Sequence, residues 1–473
     1  MGSMLLCALS PHPPLLIPEV GGGELARVAK TESAMKKLAS MVKEAGPDTV
    51  VVISPHALVF QNAVAIYGAG TLQGDFGAFG AHEVALSFEN NLKLVSAIEE
   101  RATRQGIKIF RLDEQQAGGR TRYRYREYTS LDHGVLVPMY YLREAGVTAS
   151  LVAMGTTFLS LPDVYRFGRS LREAIEGEDV RAVIIASGDL SHRLIPAAPA
   201  GYDPRGAVFD ERIISLLREV DVDGILGLDE SLVERAGECG YRPIISLLGT
   251  LDGLEATGEV LSYEGPFGVG YGVAVFKPGS PRSEREFLRK MNARQLAEVE
   301  ERRRKESPIV RLARAAVEEY VRHGEILRAP GDLPPEFSGR AGVFCSIKKH
   351  GQLRGCIGTV TPTRAGIAEE VIHNAIAAAT EDPRFTPVEP YELDDLVYSV
   401  DILTPPEKIS GPGELDPRRY GVIVRRGGRS GLLLPDLEGI ETVAQQVEIA
   451  KRKAGIRADE DVELERFEVV RYF

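Results

Sequence analysis

Short apolar runs alternate with amphipathic stretches over the first part of the chain, from residue 1 to about residue 277. Amphipathic stretches at residues 92–105 and 164–176 repeat their apolar positions at helical spacing. The β-branched runs between them are typical of strands buried on both faces. This alternation predicts an α/β domain with a mainly parallel central sheet flanked by helices. The clearest runs are residues 49–54 (TVVVIS), 150–154 (SLVAM) and 182–187 (AVIIAS).

A charge-dense segment separates this pattern from a second one. Residues 279–306 carry Glu, Arg and Lys on nearly every face, which favours a charged helical linker between domains at residues 1–278 and 307–473. A new apolar period begins at Ile309 and predicts a helix with one buried stripe. We expect a smaller α+β domain here. Its strand patterns lie at residues 341–347, 397–402 and 431–434, and its helical patterns at residues 367–380 and 442–454.

Composition narrows the class of protein. The net charge of −11 argues against a dominant phosphate-binding surface, so nucleic acid is an unlikely partner. We interpret the basic residues 120–126 (RTRYRYR) as a solvated strand face. No run approaches the roughly 20 apolar residues of a membrane span, and the start has no signal-peptide pattern. The four cysteines show no disulfide or iron–sulfur spacing, so we expect a cytoplasmic protein.

Three predicted strands of the first domain end in the same way, with a histidine following within a few residues. Residues 5–9 lead into Ser-Pro-His12, residues 49–53 into Ser-Pro-His56, and residues 182–186 into a segment that reaches His192. A single histidine after a strand is usually a turn or capping residue. Parallel strands, however, present their carboxyl ends at one edge, where α/β proteins bind ligands. Three imidazoles delivered there predict a transition-metal site.

Further candidates complete this set. Cys239 offers a thiolate and its neighbour Glu238 a carboxylate, and either one gives two histidines plus an anion. The ordinary alternative for Cys239 is a small buried hydrophobic residue. Asp189 precedes His192 by three residues, and we expect it to orient that imidazole through a hydrogen bond. His133, in an Asp-His-Gly segment, is another candidate.

Two remaining features suggest no chemistry of their own. His82 has no strand end before it, so we expect it in a loop. The glycine-dense residues 70–80 lack a phosphate-binding motif, and we interpret them as a flexible loop.

The motifs of the first domain, from Met4 to Phe276, resemble the class III extradiol dioxygenase superfamily (the LigB fold) and its Memo relatives. The resemblance implies a metal-dependent oxidoreductase that uses Fe(II) and O₂ to cleave an aromatic diol. It also implies that His12 and His56 are metal ligands and that His192 is the acid/base. The motifs that carry it are the strand-Pro-His of His12 and His56, the Asp-His-Gly of His133 and the Asp-x-x-His of Asp189 and His192.

One segment departs from the dioxygenase pattern. Cys239-Gly240-x-x-Pro243-Ile244 resembles Memo proteins, which have a cysteine where the dioxygenases use a carboxylate. A thiolate is a softer ligand and admits copper or zinc in place of iron. This implies the alternative of a metal-binding protein that does not cleave rings. If Cys239 is not the third ligand, Glu238 is the other candidate.

The second domain resembles the AMMECR family, on Leu353-Arg354-Gly355-Cys356-Ile357-Gly358 and on Asp382-Pro383-Arg384-Phe385. Cys356 is a candidate catalytic residue because the neighbouring Arg354 would favour its thiolate. The alternative for Cys356 is a packing role in a tight strand.

The two families in one chain resemble the AmmeMemoRadiSam system, which implies a radical-SAM protein as partner and a small aromatic or peptide substrate. The sequence also leaves a homo-oligomer open.

Overall fold

The computed structural model describes residues 2–113, 130–437 and 439–473, so the basic segment 120–126 lies outside the described residues. The chain divides into two compact units, Met1–Asn292 and Ala293–Phe473. A helix at Phe287–Lys305 crosses this boundary, in the segment where the charge pattern predicts a helical connector. A membrane-crossing helix is not found in the described part of the chain, since every helix there is too short or too polar.

A mostly parallel sheet forms the centre of the first unit, as predicted. Within the described residues it has the strand order β6-β3-β7-β2-β8-β1-β10-β9. Strands β7, β2, β8 and β1 pair in parallel, and β10 and β9 join the edge antiparallel. The strands of this unit are β1 Ser3–Ser10, β2 Thr49–Ser54, β3 Val64–Tyr67, β4 Thr71–Phe76, β5 Ala81–Glu89, β6 Ile109–Leu112, β7 Ser150–Gly155, β8 Arg181–Ser187, β9 Leu254–Glu264 and β10 Tyr271–Pro281.

Helices cover both faces of this sheet. Every residue of β2 is buried: Val51 and Ile53 belong to the core on one face, and Val50 and Val52 to the core on the other. This two-sided burial explains why the central strands are continuous apolar runs and not alternating ones. The helices are α1 Pro18–Gly21, α2 Ala29–Ala45, α3 Leu92–Arg104, α4 His133–Glu144, α5 Leu161–Gly177, α6 Pro204–Glu219, α7 Val222–Leu226, α8 Glu230–Ala236, α9 Tyr241–Thr250 and α10 Phe287–Lys305.

Helices α5 and α9 approach each other closely because both carry glycine at the contact. A Cβ on Gly168 would lie 1.9 Å from the Ser246 carbonyl oxygen, and one on Gly249 would lie 2.0 Å from the Tyr165 carbonyl oxygen. The contact therefore excludes any larger residue at either position. Cys239 lies two residues before the first residue of α9, Tyr241.

The segment 70–89 corrects two predictions. The glycine-dense stretch is not a flexible loop, because β4 pairs with β5 in a two-stranded antiparallel sheet. His82, predicted to lie in a loop, is the second residue of β5. Alternate residues of β4, Leu72, Gly74 and Phe76, are buried, and this period-2 burial makes the stretch a strand.

The second unit is a smaller α+β domain, as predicted. Two four-stranded antiparallel sheets, in the orders β12-β11-β13-β18 and β14-β17-β15-β16, are found among its described residues. The strands are β11 Gly342–Lys349, β12 Gln352–Thr359, β13 Leu396–Leu403, β14 Glu407–Ile409, β15 Gly421–Arg426, β16 Arg429–Leu433, β17 Glu463–Phe467 and β18 Val469–Tyr472, and the helices are α11 Pro308–His323, α12 Ile367–Thr380 and α13 Val443–Lys453.

Candidate metal centre

Three neighbouring parallel strands deliver the histidines to one edge of the sheet. β8 lies between β1 and β2, and its last residue, Ser187, pairs with Ser10 at the end of β1. His12 follows β1 and His56 follows β2, each after a proline. Proline fixes its own φ and keeps the preceding residue extended, so the segments after β1 and β2 both continue in the direction of their strands.

The structure brings His12, His56 and Cys239 into one group whose ligand atoms all lie within 4.8 Å of one another. His12 Nε2 is 2.9 Å from His56 Nε2 and 3.6 Å from Cys239 Sγ. His12 is buried, Cys239 is half-buried and His56 is exposed. Two imidazoles and a thiol in this arrangement form a ready set of transition-metal ligands.

Backbone contacts with the end of β8 hold Cys239 in this group. The Asp189 N–H donates to Cys239 Sγ over 3.3 Å, and the Cys239 and Gly240 N–H groups donate to the Asp189 carbonyl oxygen. The two chains touch because Gly188 has no side chain: a Cβ there would lie 2.2 Å from the Gly240 Cα. This close approach is why a residue so distant in sequence reaches the histidines.

Glu238, the other candidate for the third ligand, has a different role among the described contacts. Its carboxylate accepts a hydrogen bond from the Tyr241 N–H, 2.5 Å away, at the first residue of α9. Burial raises the pKa of Glu238 to about 7. The structure therefore brings the thiol of Cys239, and not the carboxylate of Glu238, to the histidines.

Asp189 contacts His12 and not His192, which differs from our expectation. One carboxylate oxygen accepts the His12 backbone N–H over 3.0 Å, and the other lies 3.9 Å from His12 Nε2. Burial raises the pKa of Asp189 to about 7. The reason is topological: β8 leaves the sheet beside β1, so its first residues after the strand meet the chain that carries His12.

His133 and His192 lie around this group. The His133 ring centroid is 4.3 Å from that of His56 and 5.3 Å from that of His12. Burial lowers the pKa of His133 to about 4 and also lowers the pKa of His192. His192 is within electrostatic range of His12 and His56, and its Nδ1 is buried without a partner among the described residues.

The ligand candidates differ in their protonation. Burial lowers the pKa of His12 well below its ordinary value, and partial desolvation also lowers that of His56, so both rings are neutral at neutral pH. Burial, and then the nearby Asp189, raise the pKa of Cys239 well above its ordinary value. The neutral histidines therefore lose no net proton when a metal binds, whereas the thiol must lose one. Since their Nε2 atoms are 2.9 Å apart, one of the two rings carries its proton on Nε2 in the metal-free protein.

Two contacts of this site are absent from the sequence-based set. Phe79 follows β4, and its ring centroid is 5.3 Å from that of His133. Ser187 contacts His12 Nδ1 through its hydroxyl, at 2.9 Å. A signal for Ser187 exists in the sequence, because all three histidine-bearing strand ends carry a serine. Phe79 has no comparable signal.

Cys356 lies in the second unit, half-buried on β12. The Ser346 hydroxyl donates to its Sγ over 3.2 Å, and its backbone N–H donates to Asp382. Arg354 does not serve the thiol as we expected. Its guanidinium donates to both carboxylate oxygens of Glu392, at 3.0 and 2.8 Å, so its charge is already compensated.

Comparison with known proteins identifies both parts of the chain. Residues 6–274, more than half of the chain, match the family described as the catalytic LigB subunit of aromatic ring-opening dioxygenase. Residues 310–472 match the AMMECR1 family. Both matches confirm the resemblances that the motifs indicate.

Similar proteins occur in bacteria and archaea. A protein of Clostridium acetobutylicum is 40% identical over 466 residues, which cover 98% of each chain. A protein of Thermotoga maritima is 55% identical over 170 residues, covering 35% of this chain and 98% of that one. Among solved structures, an uncharacterized protein of Pyrococcus horikoshii is 38% identical, with a TM-score of 0.33, and the match covers 34% of this chain and 88% of that one.

Proposed function

The chain belongs to the LigB family and carries an AMMECR1 domain at its C-terminal end, and from this premise we propose that its first domain is a metal-dependent enzyme. We assign the metal to His12, His56 and Cys239. The observation that carries this proposal is the convergence of their three ligand atoms within 4.8 Å at the carboxyl edge of the sheet. Active sites of open α/β sheets lie at that edge.

The donor set fits a transition metal of the softer kind. Two neutral imidazoles and one thiolate are ligands that suit zinc and copper, whereas iron dioxygenases of the facial type use two histidines and a carboxylate. The carboxylate of Glu238, the other candidate for the third ligand, accepts the Tyr241 N–H, and neither it nor Asp189 belongs to the group of ligand atoms that converge. We therefore propose zinc or copper in this site, in place of the Fe(II) that the dioxygenase resemblance implies.

Each remaining group has a proposed task. A bound metal would supply Lewis-acid polarisation of a substrate oxygen or of water. His192 is neutral near pH 7, because burial lowers its pKa, so its ring is able to accept a proton from a substrate. His133 lies beside His56 and His12, and Phe79 lies beside His133. We propose that these two rings contact the flat or apolar part of the substrate.

We expect zinc affinity to rise about tenfold per pH unit between about pH 7.5 and 8.5. The Cys239 pKa is raised well above 9.0, so one proton leaves the thiol for each metal bound. His12 and His56 contribute no proton because their lowered pKa values keep them neutral. Asp189, with a pKa of about 7, is mostly ionised above this value. Competition with a chromophoric chelator at three pH values measures the slope; a pH-independent affinity would contradict a thiol ligand.

Ring cleavage is the second candidate function, favoured by the family match and by the acid/base position of His192. We expect the Fe(II)-loaded protein to show no oxygen uptake with catechols beyond that of free Fe(II), because a thiolate occupies the place of the dioxygenase carboxylate. An oxygen electrode and the absorbance of ring-opened products check this with a panel of substituted catechols. Ring-opened product formed in proportion to enzyme, and lost in His192→Gln, would replace our proposal by the dioxygenase.

A further inference from the structure

Helix α4 contains a proline that leaves one backbone carbonyl without its usual partner. In an α-helix the N–H of residue i+4 donates to the carbonyl of residue i. Pro138 has no N–H, so it cannot donate to the Gly134 carbonyl one turn earlier. The Ser187 hydroxyl donates to that carbonyl oxygen over 2.5 Å. The proline therefore creates an acceptor for Ser187 at the end of β8.

The same hydroxyl lies 2.9 Å from Nδ1 of His12, and the Ser187 and His12 side chains are buried. A serine hydroxyl has one proton to donate. Since that proton points to the Gly134 carbonyl, the hydroxyl oxygen is left to accept, and His12 must supply the proton from Nδ1. In neutral imidazole only one nitrogen carries a proton, so Nε2 of His12 bears a lone pair. In the metal-free protein this lone pair accepts from the Nε2–H of His56, 2.9 Å away. Nε2 of His12 is also the nitrogen 3.6 Å from Cys239 Sγ.

We infer that Ser187, held by the Gly134 carbonyl that Pro138 leaves free, is a positioning residue that fixes His12 as the Nδ1–H tautomer with Nε2 turned to the metal. The inference rests on the proposed function only for the identity of the ligand. The tautomer itself is a property of the metal-free protein. Partners of this kind, which hold the second nitrogen of a ligating histidine, set the tautomer and the basicity of the ligand.

The chain offers a matched control on the neighbouring strand. Ser10 pairs with Ser187 in the sheet register and is equally buried. Its hydroxyl donates to the Pro11 carbonyl and contacts Met35 Sδ, but makes no contact with a histidine among the described residues. Ser10→Ala therefore removes a buried hydroxyl from the same edge of the sheet and leaves His12 unchanged.

Two measurements test the inference. Nitrogen-15 correlation spectra of metal-free, histidine-labelled protein report the tautomer of each ring, and His12→Ala identifies the His12 signals. We expect Nδ1–H for His12 in the wild type and a shift toward Nε2–H in Ser187→Ala. Zinc affinity is expected to fall about 10- to 100-fold in Ser187→Ala and to stay unchanged in Ser10→Ala. Pro138→Ala, which returns a competing N–H to Gly134, should lower the affinity by a smaller factor in the same direction.

The outcomes separate this inference from the proposed function. An Nε2–H tautomer for His12 in the wild type would overturn the inference. This result needs no variant, so the inference is tested even if Ser187→Ala folds poorly. Equal zinc affinity of the wild type and of folded Ser187→Ala would overturn it too, with the metal centre intact. A wild type that binds no metal would instead overturn the proposed function, and the Nδ1–H tautomer would still stand or fall by the spectra.

Discussion

Replacing Cys239 by alanine is expected to lower the affinity of the first domain for zinc more than about 100-fold, beyond the range of residues that only support a ligand. The thiol is one of three ligand atoms that lie within 4.8 Å of one another, and no other described Cys, Asp or Glu belongs to that group. Alanine leaves two imidazoles, one of them exposed, to hold the metal alone. Chelator competition with the purified full chain measures the loss.

The neighbouring residue supplies the control for this result. Glu238→Gln keeps an oxygen that can accept the Tyr241 N–H, so the start of α9 is preserved while the carboxylate charge is removed. We expect zinc affinity to change less than about threefold in this variant, since Glu238 is not among the ligands. If Glu238→Gln lost the metal and Cys239→Ala kept it, the third ligand would be the carboxylate and the dioxygenase interpretation would be restored.

A second large effect is expected from a residue that contacts no metal. Gly188→Ala would place a Cβ 2.2 Å from the Gly240 Cα, so the loop that carries Cys239 must move away from the end of β8. We expect zinc affinity to fall about 100-fold, as for the strongest supporting residues, and the free energy of unfolding to fall by about 1–3 kcal/mol from overpacking. Chelator competition and urea denaturation of the same preparation measure the two quantities.

Gly23→Ala is the matched substitution for this test. A Cβ at Gly23 would meet nothing within 4 Å, so the same chemical change should leave both the metal affinity and the urea midpoint close to those of the wild type. If folded Gly188→Ala bound zinc as tightly as the wild type did, the backbone contact between residues 188 and 240 would not be what places Cys239.

Much of the fold of the first unit could be predicted from the sequence because its signals are local. The apolar runs of β2 and β8 are continuous because both faces are buried, and each is bounded by polar residues that end the strand. The Pro-His pairs after β1 and β2 mark the edge of the sheet, because the end of a strand is determined by the residues next to it in sequence. His12 and His56 were therefore predicted to lie together from residue patterns alone.

The choice between close alternatives depends on tertiary contacts and could not be predicted in the same way. Which of Glu238 and Cys239 reaches the histidines is decided by the close approach of Gly188 to Gly240 and by the hydrogen bonds between Asp189 and Cys239. Asp189 was assigned to the wrong histidine because sequence distance favours His192, whereas β8 pairs with β1 and carries Asp189 to His12.

In the second unit, too, the elements could be predicted from the sequence but the partner of a key side chain could not. Its helices and strands follow local patterns, and α12 matches the predicted residues 367–380. The partner of Arg354, in contrast, does not follow from a local pattern. The guanidinium binds Glu392, which is 38 residues away along the chain and lies in a short 3₁₀ turn before β13. Proximity in sequence predicted an Arg354–Cys356 pair, and the fold instead pairs the cation with a buried carboxylate.

X-ray absorption at the edge of the bound metal tests the central claim most directly, because it reports the ligand atoms without any substitution. With zinc bound to the full chain at one equivalent, the account predicts one sulfur at about 2.3 Å and nitrogen or oxygen neighbours at about 2.0–2.1 Å, with the scattering pattern of two imidazoles. The sulfur must disappear in Cys239→Ala loaded at high zinc. A wild-type spectrum with nitrogen and oxygen neighbours alone would contradict a metal centre built on His12, His56 and Cys239.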